Sequence, residues 1–232
     1  MVMKKKITVL TGAGVSAESG INTFRDADGF WEGHDVMEVA SPQGFHKNPE
    51  LVLNFYNERR RQLPQVQPNK AHIALADLEN GFDVTIITQN VDDLHERGGS
   101  SNVVHLHGEL LKVRSTGDES CVLDWADDLI LGNLCSKGHQ LRPHIVWFGE
   151  EVPMLEKAVH ITAASDILII IGTSMQVYPA AGLVDYAKPG TPIYFIDPKP
   201  SVSKNDFDNL KIIPKKAAEG VPELVHELLK LG

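Results

Sequence analysis

The sequence predicts an α/β fold: a mostly parallel sheet with helices on both faces, plus a small inserted module. Three observations predict it. First, the apolar run Ile7–Leu10 passes directly into Thr11-Gly12-Ala13-Gly14-Val15-Ser16-Ala17. This is the order strand, Gly-x-Gly-x-x-Ala, helix that suits a dinucleotide. Second, further short apolar runs end as abruptly in polar, reactive residues, at 84–87, 103–104, 167–171 and 193–196. Such runs are buried on both faces, as in a parallel sheet covered by helices. Third, 232 residues, 42% hydrophobic and 23% charged, suit one large domain or one plus a small insert, long enough to bury a substantial core.

Each element follows in order. Gly12 permits the tight turn, and Gly14 lets a pyrophosphate approach the backbone. Ala17 lets the helix pack close, with its N-terminus toward the phosphates. The helix is then cut short. Residues 22–31, with Thr23, Phe24, Arg25 and Trp31, read as a loop able to lie over a bound cofactor. Residues 32 to about 68 carry helical spacing around Leu51, Leu53, Phe55 and Tyr56 and end before Pro64. The run at 84–87 delivers Gln89, Asn90 and Asp92; the run at 103–104 delivers His105 and His107. Residues 112 to about 145 are polar and turn-rich, a second insert; the two inserts form a smaller module beside the sheet. The last two runs deliver Gly172-Thr173-Ser174 and Asp197, and residues 221–229 read as an amphipathic closing helix. In open α/β sheets ligands bind beyond the carboxyl ends of the strands, so five polar strand ends on one edge predict one site.

Composition narrows the function. Against 22 Lys and Arg stand 31 Asp and Glu, a net charge of −9. An acidic surface excludes free nucleic acid as an expected partner. No apolar run approaches the roughly 18 residues of a membrane span. The basic start has too short an apolar stretch for a signal peptide, and Cys121 and Cys135 give no disulfide framework. A reducing cytoplasm and a monomer are the expectation.

At this point the residues resemble the sirtuins, the NAD-dependent protein deacylases. The matching stretches are Gly12–Ser16 with Ser19-Gly20-Ile21 and Phe24-Arg25, Thr88–His95, Leu106-His107-Gly108, Leu141–Glu150, and Gly172-Thr173-Ser174 with Val177–Ala180. They span nearly the whole chain, in family order, and imply one Rossmann-like catalytic domain over residues 1–232. Tyr56 and Arg59 match the Tyr-x-x-Arg pair of the class that removes acidic acyl groups. Positions i and i+3 share a helix face, where a guanidinium and a phenol can receive one carboxylate. Alone, the same residues read as a core aromatic and a solvated charge. Ala40 sits where a small residue widens the acyl channel.

The resemblance implies consumption of NAD. The acyl oxygen of a modified lysine attacks the nicotinamide ribose C1′ as nicotinamide leaves, and a base then activates a ribose hydroxyl. The products are lysine, nicotinamide and acyl-ADP-ribose. His107 is the implied base, suited by a near-neutral pKa, with Asn90 as the second catalytic residue. Gln89, Asn90 and Asp92 are implied to hold the nicotinamide ribose and carboxamide, with Asp93 capping the next helix. Gly172, Thr173 and Ser174 face the phosphates and adenosine ribose; Asp197 replaces the family's usual Asn. Gly12, Ala13, Gly14, Ala17, Thr23, Phe24, Arg25, Trp31, His107 and Ala218 complete the cofactor set. Val146, Trp147, Phe148 and Gly149 resemble the segment that pairs with a substrate peptide as an added strand. The acyl-lysine partner is a protein or peptide carrying succinyl, malonyl or acetyl groups.

One departure stands out. Sirtuins carry a structural zinc on two Cys-x-x-Cys pairs, and this chain has neither pair. Cys121, Cys135 and His139 supply at most three ligands, so no zinc is expected. The insert must then cohere through apolar contacts, with Val122, Leu123, Trp125, Leu129, Ile130 and Leu134 the candidates. Two other classes fit the sequence less well. An NAD-dependent oxidoreductase needs a second strand ending in an acidic residue after Gly20, and that strand is missing. A non-catalytic NAD-binding module would be favoured by loss of His107 or Asn90, and both are present.

Overall fold

Along the chain run β1 (Lys6–Thr11), β2 (Phe30–Trp31), β3 (His34–Asp35), α1 (Val36–Val39), α2 (Pro42–Lys47), α3 (Pro49–Gln62) and α4 (Lys70–Leu78). Then come β4 (Asp83–Thr88), α5 (Leu94–Arg97), β5 (Val103–His105), β6 (Gly108–Ser115), β7 (Val122–Asp124) and β8 (Leu141–Ile145). The chain continues through α6 (Leu155–Ala163), β9 (Ile167–Ile171), β10 (Ile193–Ile196), β11 (Leu210–Ile213) and α7 (Ala217–Leu231). This computed structural model describes residues 4–21, 30–31, 33–203, 206–207 and 209–231. The expectations for Thr23, Phe24 and Arg25 lie outside the described residues.

Six strands form one parallel sheet in the order β11-β10-β9-β1-β4-β5. β1 is central, and the chain winds outward from it in both directions. The crevice between the carboxyl ends of β1 and β9 is therefore the topological switch point, where such sheets bind ligands. Alternate residues feed opposite faces. Val9, Ile86, Ile169 and Ile171 pack with Leu75 and Leu78 of α4 and Leu224 and Leu228 of α7. Leu10, Ile87, Leu168 and Ile170 pack with Ala158 of α6 and Leu183. Both faces being apolar explains why these strands read as continuous hydrophobic runs.

Sequence reasoning finds five of the six strands. The sixth, β11, is an edge strand with no fully buried side chain, so its apolar signal is weak. The turn-rich stretch at 112–145 hides an antiparallel sheet, β7-β6-β8, whose central strand begins already at Gly108. Its expected core needs correction. Leu129 is fully buried and Trp125 partly, but Val122, Leu123, Ile130 and Leu134 are exposed. The actual core forms where the sheet meets α3: Leu53, Val113, Leu129, Cys135 and Leu141.

Helix α3 starts where Asn48 accepts the Leu51 amide and Pro49 fills the first turn. It joins the small sheet through Asn57, which donates to the Leu129 carbonyl and accepts its amide, at 3.0 and 2.8 Å. Arg60, 1% exposed, donates to the Leu110 carbonyl and to Asn57. Two polar side chains that look solvated in sequence are thus the lock between helix and sheet. No helix among the described residues is long and apolar enough to cross a membrane.

Candidate active site

The glycine loop leaves β1 and meets the end of β9 backbone to backbone. Gly12 N–H donates to Ile171 O at 3.0 Å and Gly14 N–H to Gly172 O at 2.8 Å. A Cβ on Gly14 would lie 2.6 Å from Gly172 Cα, and Gly172 itself has φ +61°. Only glycines permit this approach. After Gly12 the chain makes two short 3-10 turns, Ala13–Val15 and Ala17–Ser19, and Gly20 ends them at φ +92°. The loop is bare of large side chains beside the switch point, a cradle that fits a pyrophosphate. Ala13 is half-buried and Ala17 exposed along it.

The neighbouring strand ends close the crevice. Gln89 Nε2 donates to Thr173 Oγ1 at 3.3 Å, tying β4 to β9; Ser174 follows, half-buried. Asp197, 1% exposed at the end of β10, accepts the Lys199 amide at 2.8 Å. Ala218 lies in the first turn of α7, and its amide donates to Glu18 Oε2 at 2.8 Å.

Beneath the loop runs a buried polar chain. Asn90 Nδ2 donates to Ser16 Oγ at 3.1 Å, and that hydroxyl donates to Asp92 Oδ2 at 3.0 Å. His72 Nδ1 accepts the Asn69 amide, so its proton sits on Nε2, which faces Ser16 Oγ at 3.5 Å. His95 lies in edge contact with His72 and bonds Thr11 Oγ1 at 3.0 Å. Ser16 thereby uses its donor and its acceptors at once, and it fixes which way the Asn90 amide points. Burial pushes the Asp92 carboxyl up to about 6, although the Leu94 amide and Ser16 work against it. Burial lowers His72 to about 4 and His95 well below the usual imidazole value. Asp93 is not the side-chain cap expected for α5. Asp92 Oδ1 takes the Leu94 amide at 3.1 Å, while Asp93 pairs with Arg97 at 3.4 Å.

His107 follows β5 at the same edge. Its Nδ1 lies 3.0 Å from Gln89 O. A carbonyl only accepts, so Nδ1 carries the proton and Nε2 keeps its lone pair. Burial lowers the His107 pKa and the Gln89 carbonyl partly restores it. The turn after it demands glycine: Gly108 has φ +83°, and a Cβ there would strike the His144 carbonyl. His105 plays another part. It bridges Asn90 O and Glu96 Oε1, at 3.2 and 2.7 Å, and so ties β5 to the strand end beside it and to α5.

The α3 face that carries Tyr56 packs with Ala40, Trp147 and Trp31. Tyr56 is fully buried and Arg59 sits one turn on, its guanidinium 5.4 Å from the Trp31 ring centre and 3.2 Å from that of Phe55. Trp31 stands edge-on to both Phe55 and Tyr56, so it lines this face as well as belonging to the expected cofactor set. Ala40, buried, accepts the Phe148 amide at 2.9 Å, and His107 O accepts the Val146 amide at 2.9 Å. Phe148 and Gly149 are exposed, whereas the Trp147 side chain is turned inward. The Trp147 backbone amide donates to Glu150 Oε2 at 2.8 Å and its carbonyl accepts the Glu150 amide at 3.0 Å.

Sequence reasoning missed Ser16, His72, His95 and Thr11 as one network, and Glu150 with Arg142 and Arg114. Asn69-x-x-His72 carried a usable signal, since the two form a reciprocal helix cap. The Glu150 partners carried none, because the residues meet only through the small sheet. Among the described residues, no group of three or more His, Cys, Asp or Glu could hold a metal ion.

A glycine cradle at the switch point of a doubly wound sheet, with a half-buried imidazole presenting a lone pair beside it, defines a dinucleotide-using α/β enzyme. Residues 12–179 match the Sir2 family. An NAD-dependent protein deacylase of Helicobacter pylori is 57% identical over 230 residues, covering 98% of this chain and 99% of the relative. One of Bacteroides thetaiotaomicron is 52% identical over 231 residues, covering 97% and 98%. Among solved structures, a Sir2 homologue in complex with NAD superimposes with a TM-score of 0.87 at 42% identity, covering 98% of this chain and 91% of that one. Sir2 bound to acetylated peptide gives 0.78 at 28% identity, covering 97% and 93%. The chain belongs to the Sir2 family.

Proposed function

We propose that this chain is an NAD-dependent protein-lysine deacylase that removes succinyl and malonyl groups as well as acetyl, releasing nicotinamide and acyl-ADP-ribose. The observation that carries the reading is the tautomer of His107, whose Nδ1–H is committed to Gln89 O. The lone pair on Nε2 is thereby available to take a ribose hydroxyl proton. NAD as co-substrate supplies the electrophilic C1′ and the nicotinamide leaving group. The chain supplies the rest. Gly12, Ala13, Gly14, Ala17, Gly172, Thr173 and Ser174 receive the phosphates and adenosine ribose, with Asp197 and Ala218 flanking. Asn90, held by Ser16, and Gln89 and Asp92 orient the nicotinamide end. Val146–Gly149 offers backbone to the substrate peptide, and Ala40 leaves room for the acyl chain. Arg59 and Tyr56, on one face of α3, receive its terminal carboxylate.

The whole of residues 1–232 acts in this reading as one catalytic domain, with the segments 32–68 and 112–145 as its smaller module. It works as a cytoplasmic monomer without zinc or nucleic acid. The experiment is nicotinamide release from NAD, measured with and without acetyl-, malonyl- and succinyl-lysine versions of one peptide. Release only in the presence of acyl peptide is expected. Release without it, or none with any peptide, overturns the reading.

A further inference from the structure

We propose that Trp147 is a positioning residue that sets acyl selectivity by fixing the hydrogen-bond polarity of Tyr56; this rests on the acidic-acyl reading above. The indole is 2% exposed, and its Nε1–H donates to the Tyr56 hydroxyl at 3.0 Å. An indole N–H can only donate. One lone pair of the phenol is therefore taken from inside the protein, and what Tyr56 offers to a group entering along α3 is its O–H. A carboxylate accepts that proton; the methyl of an acetyl group gains nothing from it.

The indole is itself held from the small sheet. The Arg142 guanidinium stacks 3.3 Å from the Trp147 ring centre. Glu150 pins that guanidinium at 2.6 and 3.1 Å and accepts the Trp147 backbone amide at 2.8 Å. Arg114 adds a further bond to Glu150 at 2.8 Å. Ring plane and backbone are both fixed by residues of β6 and β8 and the turn after them. The polarity of Tyr56 is thus dictated from outside the helix that carries it. A phenylalanine at 147 would fill most of the same space without a donor. The phenol could then turn and accept from Arg59, and its proton would no longer be committed to the substrate.

The test measures kcat and KM on acetyl- and succinyl-lysine forms of one peptide for the wild type, Trp147→Phe, Tyr56→Phe, Arg59→Met and the Trp147→Phe/Tyr56→Phe double variant. A protein carrying 3-benzothienylalanine at position 147 keeps the indole's shape and lacks only the N–H, so it answers the question even if Trp147→Phe folds badly. The expected result is a fall in the succinyl-to-acetyl ratio of kcat/KM of about three- to ten-fold in both 147 variants, the range of one neutral hydrogen bond, carried by KM for the succinyl peptide; any loss that the peptide-binding segment shares between the two peptides cancels in the ratio. The double variant should lose no more than Tyr56→Phe alone, because the indole acts only through the phenol. Equal losses on both substrates, or additive losses in the double variant, overturn the inference. If Tyr56→Phe and Arg59→Met lower the succinyl-to-acetyl ratio while the 147 variants leave it unchanged, the inference alone fails. If none of them changes the ratio, the acidic-acyl reading falls and takes the inference with it.

Discussion

His107 gives its Nδ1 proton to the carbonyl of Gln89 across 3.0 Å, and burial lowers its pKa. The imidazole is thus neutral, with Nε2 ready to accept, at lower pH than an ordinary histidine would be. A base must be unprotonated to act. Activity should accordingly rise with pH through a value below the usual imidazole value of about 6.5 and be at full strength at neutrality. A pH profile of kcat/KM whose acid limb lies above about 7 would count against this base. His107→Ala should retain NAD binding by calorimetry and lose at least roughly 100-fold in turnover.

Asp92 should make the protein less stable than it needs to be. Desolvation raises its carboxyl to about 6 from 3.8. Between those values the folded state holds a proton that the unfolded chain has released, so stability falls as pH rises through that window. Asp92→Asn removes the penalty and keeps an acceptor for the Leu94 amide. Its stability relative to wild type should grow from pH 4 to pH 6 and level off above 7, by at most about 3 kcal/mol. Denaturant unfolding across that range checks the sign; a constant difference would show that Asp92 is not the titrating group. Turnover should fall in the same variant, since Asp92 accepts from the Ser16 that orients Asn90.

Arg59→Met tests the acidic-acyl reading directly. A hydrogen bond from a charged group is worth about 1.5–3 kcal/mol, or roughly 10- to 150-fold. Succinyl-lysine kcat/KM should drop by that order, and acetyl-lysine kcat/KM should change little. Equal losses on the two peptides would make Arg59 a scaffold residue.

The small module should withstand chelation. Its core is apolar, and its turns are tied by Ser115 Oγ donating to Cys135 Sγ at 3.3 Å and by Lys137 paired with Asp118 at 2.7 Å. A strong chelator is expected to leave the melting temperature unchanged. A fall in melting temperature, or about one zinc per chain by elemental analysis, would point to Cys121, Cys135 and His139 as ligands.

What could be read in advance was the chemistry at strand ends. Leu10, Ile87 and Ile171 each end an apolar run just before polar residues, Thr11, Thr88 and Thr173, that the parallel sheet gathers at one edge. Gly12 and Gly14 declared the close backbone approach. What could not be read were partnerships across long separations. Asn57 and Arg60 sit in a stretch of charges that looks solvated, yet their partners are Leu129 and Leu110. The orientation of Trp147 depends on Arg142 and Glu150, which meet only after β6 and β8 pair. The edge strand β11 lacks the two-sided burial that betrays the others. Hydrophobic periodicity reports how deeply a segment is buried, not which distant polar group it will meet.

The bond between Glu18 and the amide of Ala218 spans 200 positions and puts a carboxylate at the positive end of α7. Its consequence concerns the order in which the molecule is made. The glycine loop is synthesised well before its supports at Gly172 and α7. A nascent chain therefore carries the loop before the backbone groups it leans on at Gly172 and Ala218 exist.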